Sequence, residues 1–144
     1  MEWIKDDYSI TTNKEKIDVD YTQQFLTQTY WAEGIPRSTV EKSIQGSICF
    51  AVFHGPQQVG FARVITDEAT FAYLADVFID PAYRGKGLSQ WLMEVIMDYP
   101  GLQGLRRFLL ATRDAHGLYA KFGFEPIPST TPWMQVHKPG IYKN

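Results

Sequence analysis

The spacing of apolar residues divides the chain into a helical beginning, a middle of strands and a mixed final part. Near the beginning, apolar side chains recur at helical spacing after a polar start, at Ile17, Tyr21, Phe25 and Leu26. This pattern predicts that the first third of the chain is helical. Gly34 and Pro36 interrupt it, because neither residue continues a helix easily. A short second helix is predicted from about 38 to 44, closed by Gly46.

The middle of the chain contains three β-rich runs, at residues 47–53, 58–66 and 71–79. The first run ends at the turn signal His54-Gly55-Pro56, and Asp67-Glu68 separates the second run from the third. Because the connections are short, neighbouring strands are expected to pair in an antiparallel meander.

After Lys86 the period becomes helical again. One apolar face is formed by Leu88, Trp91, Leu92, Val95, Ile96 and Tyr99. A buried-type strand is predicted at 108–111, a helix containing 118–122 follows, and residues 133–137 could add a last strand. A meander followed by strand, helix, strand and helix predicts an α/β (α+β) domain with helices against a mixed sheet.

Length and charge narrow the class of protein. The 144 residues suit a single domain, and the 44% hydrophobic content can supply its core. The formal net charge is −2 and the isoelectric point is near 5.9, whereas proteins that neutralise many nucleic-acid phosphates are usually basic. A nucleic-acid partner is therefore not expected. Such a site would depend on only four side chains, those of Arg84, Lys86, Arg106 and Arg107.

The lone cysteine and the absence of long apolar segments bear on the cellular compartment of the protein. Cys49 lies in an apolar run, so a buried, inert thiol is expected there. The first seven residues lack the apolar core of a signal peptide, and no window approaches the length of a membrane span. The expectation is a cytoplasmic protein with no membrane association and no metal.

The segment with the clearest chemistry is the junction between the third strand and the following helix. The strand ends at Asp80-Pro81, a glycine-containing loop follows at 84–89, and the helix begins at once. A helix start has unpaired N–H groups and a positive dipole end, and both favour a diphosphate. Gly85 and Gly87 allow close approach of a phosphate to the backbone. The alternative is that these glycines only shape a tight turn. Neither G-x-x-x-x-G-K-S/T nor G-x-G-x-x-G is present, so a P-loop or dinucleotide fold is not supported.

Two linked sequence blocks resemble those of the GNAT superfamily of acetyl-CoA-dependent N-acetyltransferases. The segment Arg84-Gly85-Lys86-Gly87-Leu88-Ser89 resembles the superfamily pattern Q/R-x-x-G-x-G/A, and residues 115–124 resemble its A-x-x-L-Y-x-K-x-G-F block. Residues 76–81 resemble its fourth strand. The likeness extends from about 71 to 125, in the order and at about the spacing of the superfamily. There are two departures: Ser89 replaces the final small Gly or Ala, and Thr112 stands where many members have asparagine.

The resemblance implies a fold, a reaction and a set of site residues. The implied fold is one GNAT-type domain over residues 1–144, with a central mixed, mostly antiparallel sheet, flanking helices and a splayed fourth strand. The implied reaction transfers an acetyl or other acyl group from acetyl-CoA directly to a primary amine. By the same resemblance, coenzyme A contacts Val77, Phe78, Ile79, Arg84, Gly85, Lys86, Gly87, Leu88, Ser89 and Thr112. Tyr119 matches the tyrosine often assigned as the acid that protonates the departing thiolate. The alternative is that it is only a core aromatic on the helix whose Leu118 and Phe122 pack inward.

The general base is open among four alternatives. Asp76, on the strand beside the cofactor, is one catalytic candidate, although an aspartate there could equally brace the sheet. His116 titrates near neutral pH, Glu33 could reach the site from the early loop, and a chain of water molecules could also take the proton.

The acceptor and the partners of the protein are less constrained by the sequence. Tyr30, Trp31 and Glu33 could form an acceptor-binding wall for an organic cation, although Trp31 could also simply cap the core. The acceptor is expected to be a small-molecule or peptide amine, and the chain could form a homodimer. The competing function is a non-catalytic module that binds or senses acyl-CoA on the same fold.

Overall fold

A computed structural model describes residues 1–143 and contains one six-stranded sheet with strand order β1-β2-β3-β4-β5-β6. The strands are β1 (Glu2–Lys5), β2 (Tyr8–Thr11), β3 (Ile48–His54), β4 (Gln57–Thr66), β5 (Phe71–Ile79) and β6 (Arg107–Leu110). Every neighbouring pair is antiparallel except β5 and β6, which are parallel. The predicted mixed, mostly antiparallel sheet is therefore confirmed.

Four helices flank the sheet: α1 (Val19–Leu26), α2 (Arg37–Gln45), α3 (Leu88–Asp98) and α4 (His116–Ala120). The side chain of Asp18 begins α1 by accepting a hydrogen bond from the Tyr21 N–H group. The predicted meander and the predicted positions of α2 and α3 are confirmed within one or two residues. None of the helices within residues 1–143 combines the length and apolarity needed to cross a membrane.

Two predictions at the ends of the chain were wrong. The first third is not wholly helical, because residues 2–11 form the β1–β2 hairpin, which extends the sheet next to β3. Its turn contains Asp6 in the left-handed region, with φ 56°. The strand predicted at 133–137 is absent, and these five residues are exposed and in neither helix nor strand.

The sheet carries a core on each face. Helices α1 and α2 cover one face, where the buried residues include Leu26, Val40, Ile44, Cys49, Phe61 and Phe78. Helix α3 covers the other, with Phe50, Val52, Val64, Leu92, Met93 and Ile96. Burial raises the pKa of the Cys49 thiol to about 11, and such a thiol is unreactive at neutral pH, as expected from the sequence.

Strand β5 extends beyond the four residues over which it pairs with β6. The two strands pair from Phe71 with Arg107 to Leu74 with Leu110, whereas β5 continues to Ile79 without β6 beside it. We call the open region between residues 75–79 and residues 111–114 the fork. At its base, the β4–β5 register shifts and Asp76 has φ 55°, which marks a β-bulge that turns β5 away. The splayed strand predicted from the family resemblance is therefore present.

Candidate active site

The loop that follows β5 presents an uncapped helix start. We call residues 84–89 the cradle. The Asp80 side chain accepts a hydrogen bond from the Ala82 N–H group at 3.0 Å, and the Arg84 Nε donates to the Ile79 carbonyl at 3.2 Å. These bonds fix the loop against the end of β5. Gly87 precedes α3 and offers no side-chain cap, so the first N–H groups of α3 are available to a ligand.

The two cradle glycines leave open space above the backbone. Gly85 and Gly87 both have φ 78°, a left-handed conformation that residues with a Cβ rarely adopt. A Cβ built on either glycine would meet no atom within 4 Å. The space is therefore free for an anionic group that approaches the N–H groups of the loop and of α3. The exposed N–H groups and the absence of side chains at the two glycines fit the chemistry of a bound diphosphate.

Helix α1 contacts both β5, which forms one side of the fork, and the loop before the cradle. The Tyr21 hydroxyl donates a hydrogen bond to the Asp80 Oδ2 at 3.1 Å. Burial, and then this contact with the Asp80 carboxylate, raises the pKa of Tyr21 well above its usual range. One turn later, Phe25 stacks on Phe78 with ring centroids 3.8 Å apart and planes 7° from parallel. The predicted cofactor residue Phe78 is thus 5% exposed and held by aromatic packing.

Asp76 is bonded through both carboxylate oxygens. Its Oδ2 lies 2.5 Å from the Arg63 Nε, and its Oδ1 accepts a hydrogen bond from the Trp31 indole N–H at 2.9 Å. Arg63 in turn donates to the Ser47 hydroxyl at 3.0 Å. The Arg63 and Asp76 side chains are only 18% and 8% exposed. Because both oxygens are engaged, these contacts favour the bracing alternative for Asp76 over a role as general base.

The side chains of Tyr30 and Trp31 contact both sides of the fork, residues 75–79 and residues 111–114. Trp31 bonds to Asp76 on β5, while the Tyr30 ring stacks on the guanidinium of Arg113, which follows β6. The Arg113 Cζ lies 3.6 Å from the centroid of that ring. We call Tyr30, Trp31, Asp76 and Arg113 the clasp. Arg113 is not predictable from the sequence, because no local motif indicates that a residue after β6 contacts a residue before α2.

Tyr119 lies on α4, the helix that follows residues 111–114, with its ring in the core. The residue is 8% exposed, and its ring packs edge-on to Phe124 with centroids 6.0 Å apart. Burial raises the pKa of Tyr119, and the nearby Tyr30 and Asp114 raise it further. The phenol therefore stays protonated at neutral pH, which is the form that a proton donor needs.

The remaining predicted residues lie around the fork with other contacts. The Thr112 hydroxyl accepts a hydrogen bond from the Ala115 N–H group at 3.1 Å, just before α4. Glu33 forms an exposed ion pair with Lys143 at 3.3 Å. His116 is exposed at the first position of α4. The structure brings Tyr30, Trp31 and Asp76 together, but it does not bring Glu33 into direct contact with them.

Comparison with known proteins decides the family. The model of the family described as "Acetyltransferase (GNAT) family" matches residues 4–124. The chain belongs to the GNAT family. A Gibberella zeae protein named as an acetyltransferase is 32% identical, with the match covering 83% of this chain and 79% of that protein.

Solved structures share the GNAT fold of this chain. A Xanthomonas campestris protein described as a GNAT-family acetyltransferase is 47% identical and superposes with a TM-score of 0.93, covering 95% of this chain and 97% of the other. A more distant Clostridium acetobutylicum structure, described as an acetyltransferase with acetyl-CoA, has a TM-score of 0.63. Its identity is 14%, with coverage of 95% and 96%, so this likeness concerns the fold alone.

Proposed function

We propose that the protein is an N-acetyltransferase that moves an acetyl group from acetyl-CoA directly to a primary amine, within one domain over residues 1–144. The observation that carries the proposal is the adjacency of the fork and the cradle, both formed at the end of β5. The fork exposes a strand edge with no neighbouring strand, and the cradle presents an uncapped helix start. An extended thioester cofactor with a diphosphate needs both features at once.

Each part of the cofactor corresponds to a part of the site. N–H groups of the cradle would hold the diphosphate, with Lys86 adding positive charge. The pantetheine arm would lie along β5 at Val77, Phe78 and Ile79, whose edge toward β6 is unpaired. A Clostridium acetobutylicum structure with acetyl-CoA has the same fold, which supports acetyl-CoA as the co-substrate. Acetyl-CoA supplies the activated acyl group as a co-substrate.

The chain provides a proton donor for the leaving group. Transfer joins the amine nitrogen to the acetyl carbon, breaks the carbon–sulfur bond, removes one proton from nitrogen and delivers one to sulfur. We assign the delivery to the Tyr119 hydroxyl on α4, which is neutral at physiological pH and would regain its proton from solvent. A backbone N–H group near the Asp76 bulge would stabilise the oxyanion.

The proton from nitrogen is assigned to solvent and not to Asp76. Accepting a proton would neutralise the Asp76 carboxylate and so weaken its ion pair with Arg63 and its bond to Trp31. Asp76 is instead a positioning residue that holds the bulge. The acceptor would enter beneath Tyr30 and Trp31, which form the wall on the α1–α2 side.

The decisive experiment is a thiol-release assay with acetyl-CoA against polyamines, arylamines, amino acids, aminoglycosides and peptides. We expect amine-dependent release of coenzyme A, with the acetylated amine identified by mass spectrometry. Tight binding of acetyl-CoA without turnover across the whole panel would instead support a non-catalytic acyl-CoA-binding module.

A further inference from the structure

The Arg113 guanidinium is held in place by Tyr30 and has no anionic partner within residues 1–143. Stacking on Tyr30 covers one flat face of the group and leaves the N–H donors at its rim accessible. None of the ion pairs within residues 1–143 includes Arg113. An arginine that an aromatic ring holds in place, and whose guanidinium N–H donors are free, is suited to bidentate binding of a planar or tetrahedral anion.

The carboxylates of Asp76 and Glu33 already have partners other than Arg113. Asp76 is held by Arg63 and Trp31, and Glu33 is paired with Lys143. Asp114 follows Arg113 in the chain but forms no ion pair within residues 1–143 with it or with any other side chain. The guanidinium charge is therefore available for a ligand that reaches the clasp.

Arg113 lies at the acceptor end of the fork and away from the cradle. Tyr30 and Trp31 place it opposite Asp76, whereas the loop leading to the cradle begins at Asp80. Four strand positions separate Asp76 from Asp80, a span of up to about 13 Å, so the clasp and the cradle lie at different levels along β5. Arg113 and Tyr119 lie six residues apart, on the segment that runs from the end of β6 into α4.

We propose that Arg113, fixed by Tyr30, binds a carboxylate or phosphate on the acceptor, so that the preferred amines are anionic. This inference rests on the proposed function and specifies its substrate class. The acceptor amine would lie near Tyr119 while its anionic group pairs with the guanidinium. Amino acids, acidic peptides and phosphorylated amines meet this requirement, whereas polyamines and aminoglycosides do not.

The test compares amines that differ only in the anionic group. The thiol-release assay is run with ω-amino acids of several lengths against their carboxamides, and with phosphoethanolamine against ethanolamine, using rates per unprotonated amine. We expect kcat/KM to be about 10-fold or more higher for the best anionic amine than for its neutral counterpart. In Arg113→Met this preference should fall to within about threefold, and Arg113→Lys should restore only part of it.

Two controls identify the source of any effect. Arg106→Met removes an exposed arginine at the start of the β6 segment, at the opposite end from the clasp, and should leave the preference unchanged. The KM for acetyl-CoA in Arg113→Met should also stay within about twofold of wild type. A raised acetyl-CoA KM with the acceptor preference intact would assign Arg113 to a cofactor phosphate and overturn the proposal.

The remaining outcomes separate this proposal from the proposed function. Turnover of neutral and anionic amines at equal rates would overturn only the anionic-acceptor proposal, and the N-acetyltransferase proposal would stand. The absence of turnover with every amine would overturn both.

Discussion

The cradle and the clasp lie at the two ends of the same fork, yet they are built in opposite ways. The cradle is one continuous segment whose chemistry comes from backbone N–H groups and from two glycines with φ 78°. The clasp joins three distant segments through side chains, with an indole–carboxylate bond on one arm and a stacked guanidinium on the other. Local sequence therefore determines the cradle, whereas tertiary contacts determine the clasp.

Substitutions within the family should affect a backbone site and a side-chain site differently. A backbone cradle tolerates many side chains and suits a cofactor common to all members. A clasp of side chains can change with each substitution, and it contacts the side from which the acceptor is expected to enter. Mutations at the two ends should therefore separate cofactor binding from acceptor selection.

The largest expected effect is on the cradle, in Gly87→Glu. The carboxylate would project into the open space above Gly87 and repel the cofactor diphosphate. Placing like charges together costs several kcal/mol, so we expect Kd for coenzyme A to rise about 100-fold or more, measured by calorimetry.

Gly104→Glu is the matched control for that variant. Gly104 also has a left-handed φ, of 73°, with no atom within 4 Å of a built Cβ, but it precedes β6 at the end far from the fork. Its backbone strain should be similar, and its affinity for coenzyme A should match that of wild type. Equal affinities of the two variants for coenzyme A would show that the cradle is not part of the cofactor site.

Between the two ends, Tyr119→Phe tests the proton donor. The variant keeps the buried ring and removes the hydroxyl, so kcat should fall by about 100-fold while acetyl-CoA affinity and Tm remain close to wild type. Tyr99→Phe removes a hydroxyl from a ring that packs on Trp3 and Phe50, and it should leave kcat unchanged.

The raised pKa of Tyr119 also fixes the pH dependence of that loss. The phenol remains protonated below its unperturbed pKa of about 10, so the ratio of wild-type to variant kcat should be constant from about pH 7 to about pH 9. A kcat within about threefold of wild type, when chemistry limits the rate, would assign the proton to another donor.

The smallest expected effect is on the clasp, in Trp31→Ala. Trp31 is 45% exposed, so its loss should cost little stability. We expect the acceptor KM to rise about 10-fold while the acetyl-CoA KM changes by less than about twofold. Trp31→Phe, which keeps a ring but loses the bond to Asp76, should show an intermediate acceptor KM. A lower Tm with unchanged acceptor kinetics would support the core-capping alternative for Trp31.

The fold was predictable where local pattern and tertiary environment agree. The apolar face of α3 and the strands of the meander carry their own periodicity, and the structure places them as predicted. The β1–β2 hairpin was missed because each strand has only four residues, too few for alternation to be distinguished from a polar segment before a helix. The predicted strand at 133–137 is absent because apolar composition alone does not supply a pairing partner.

In the candidate site, too, the features set by local sequence were predictable and those set by tertiary contacts were not. The glycines of the cradle and Tyr119 are recognisable from two short blocks of sequence. The bond from Trp31 to Asp76 and the stacking of Tyr30 on Arg113 join residues 45 and 83 positions apart, and no spacing in the chain predicts them. The contacts of Asp76 also required the structure, since its bonds to Arg63 and Trp31 favour a brace where the sequence allowed a base.

The central claim is that the cradle and the fork form one coenzyme A site, and backbone amide NMR tests it most directly. Titration of the wild-type protein with coenzyme A should shift the amide signals of residues 85–90 and 77–79 together, with one affinity. The amides of residues 101–105, between α3 and β6 at the end far from the fork, should stay unchanged. Saturable binding that shifts neither the cradle nor the β5 edge, or shifts only one of them, would contradict the claim.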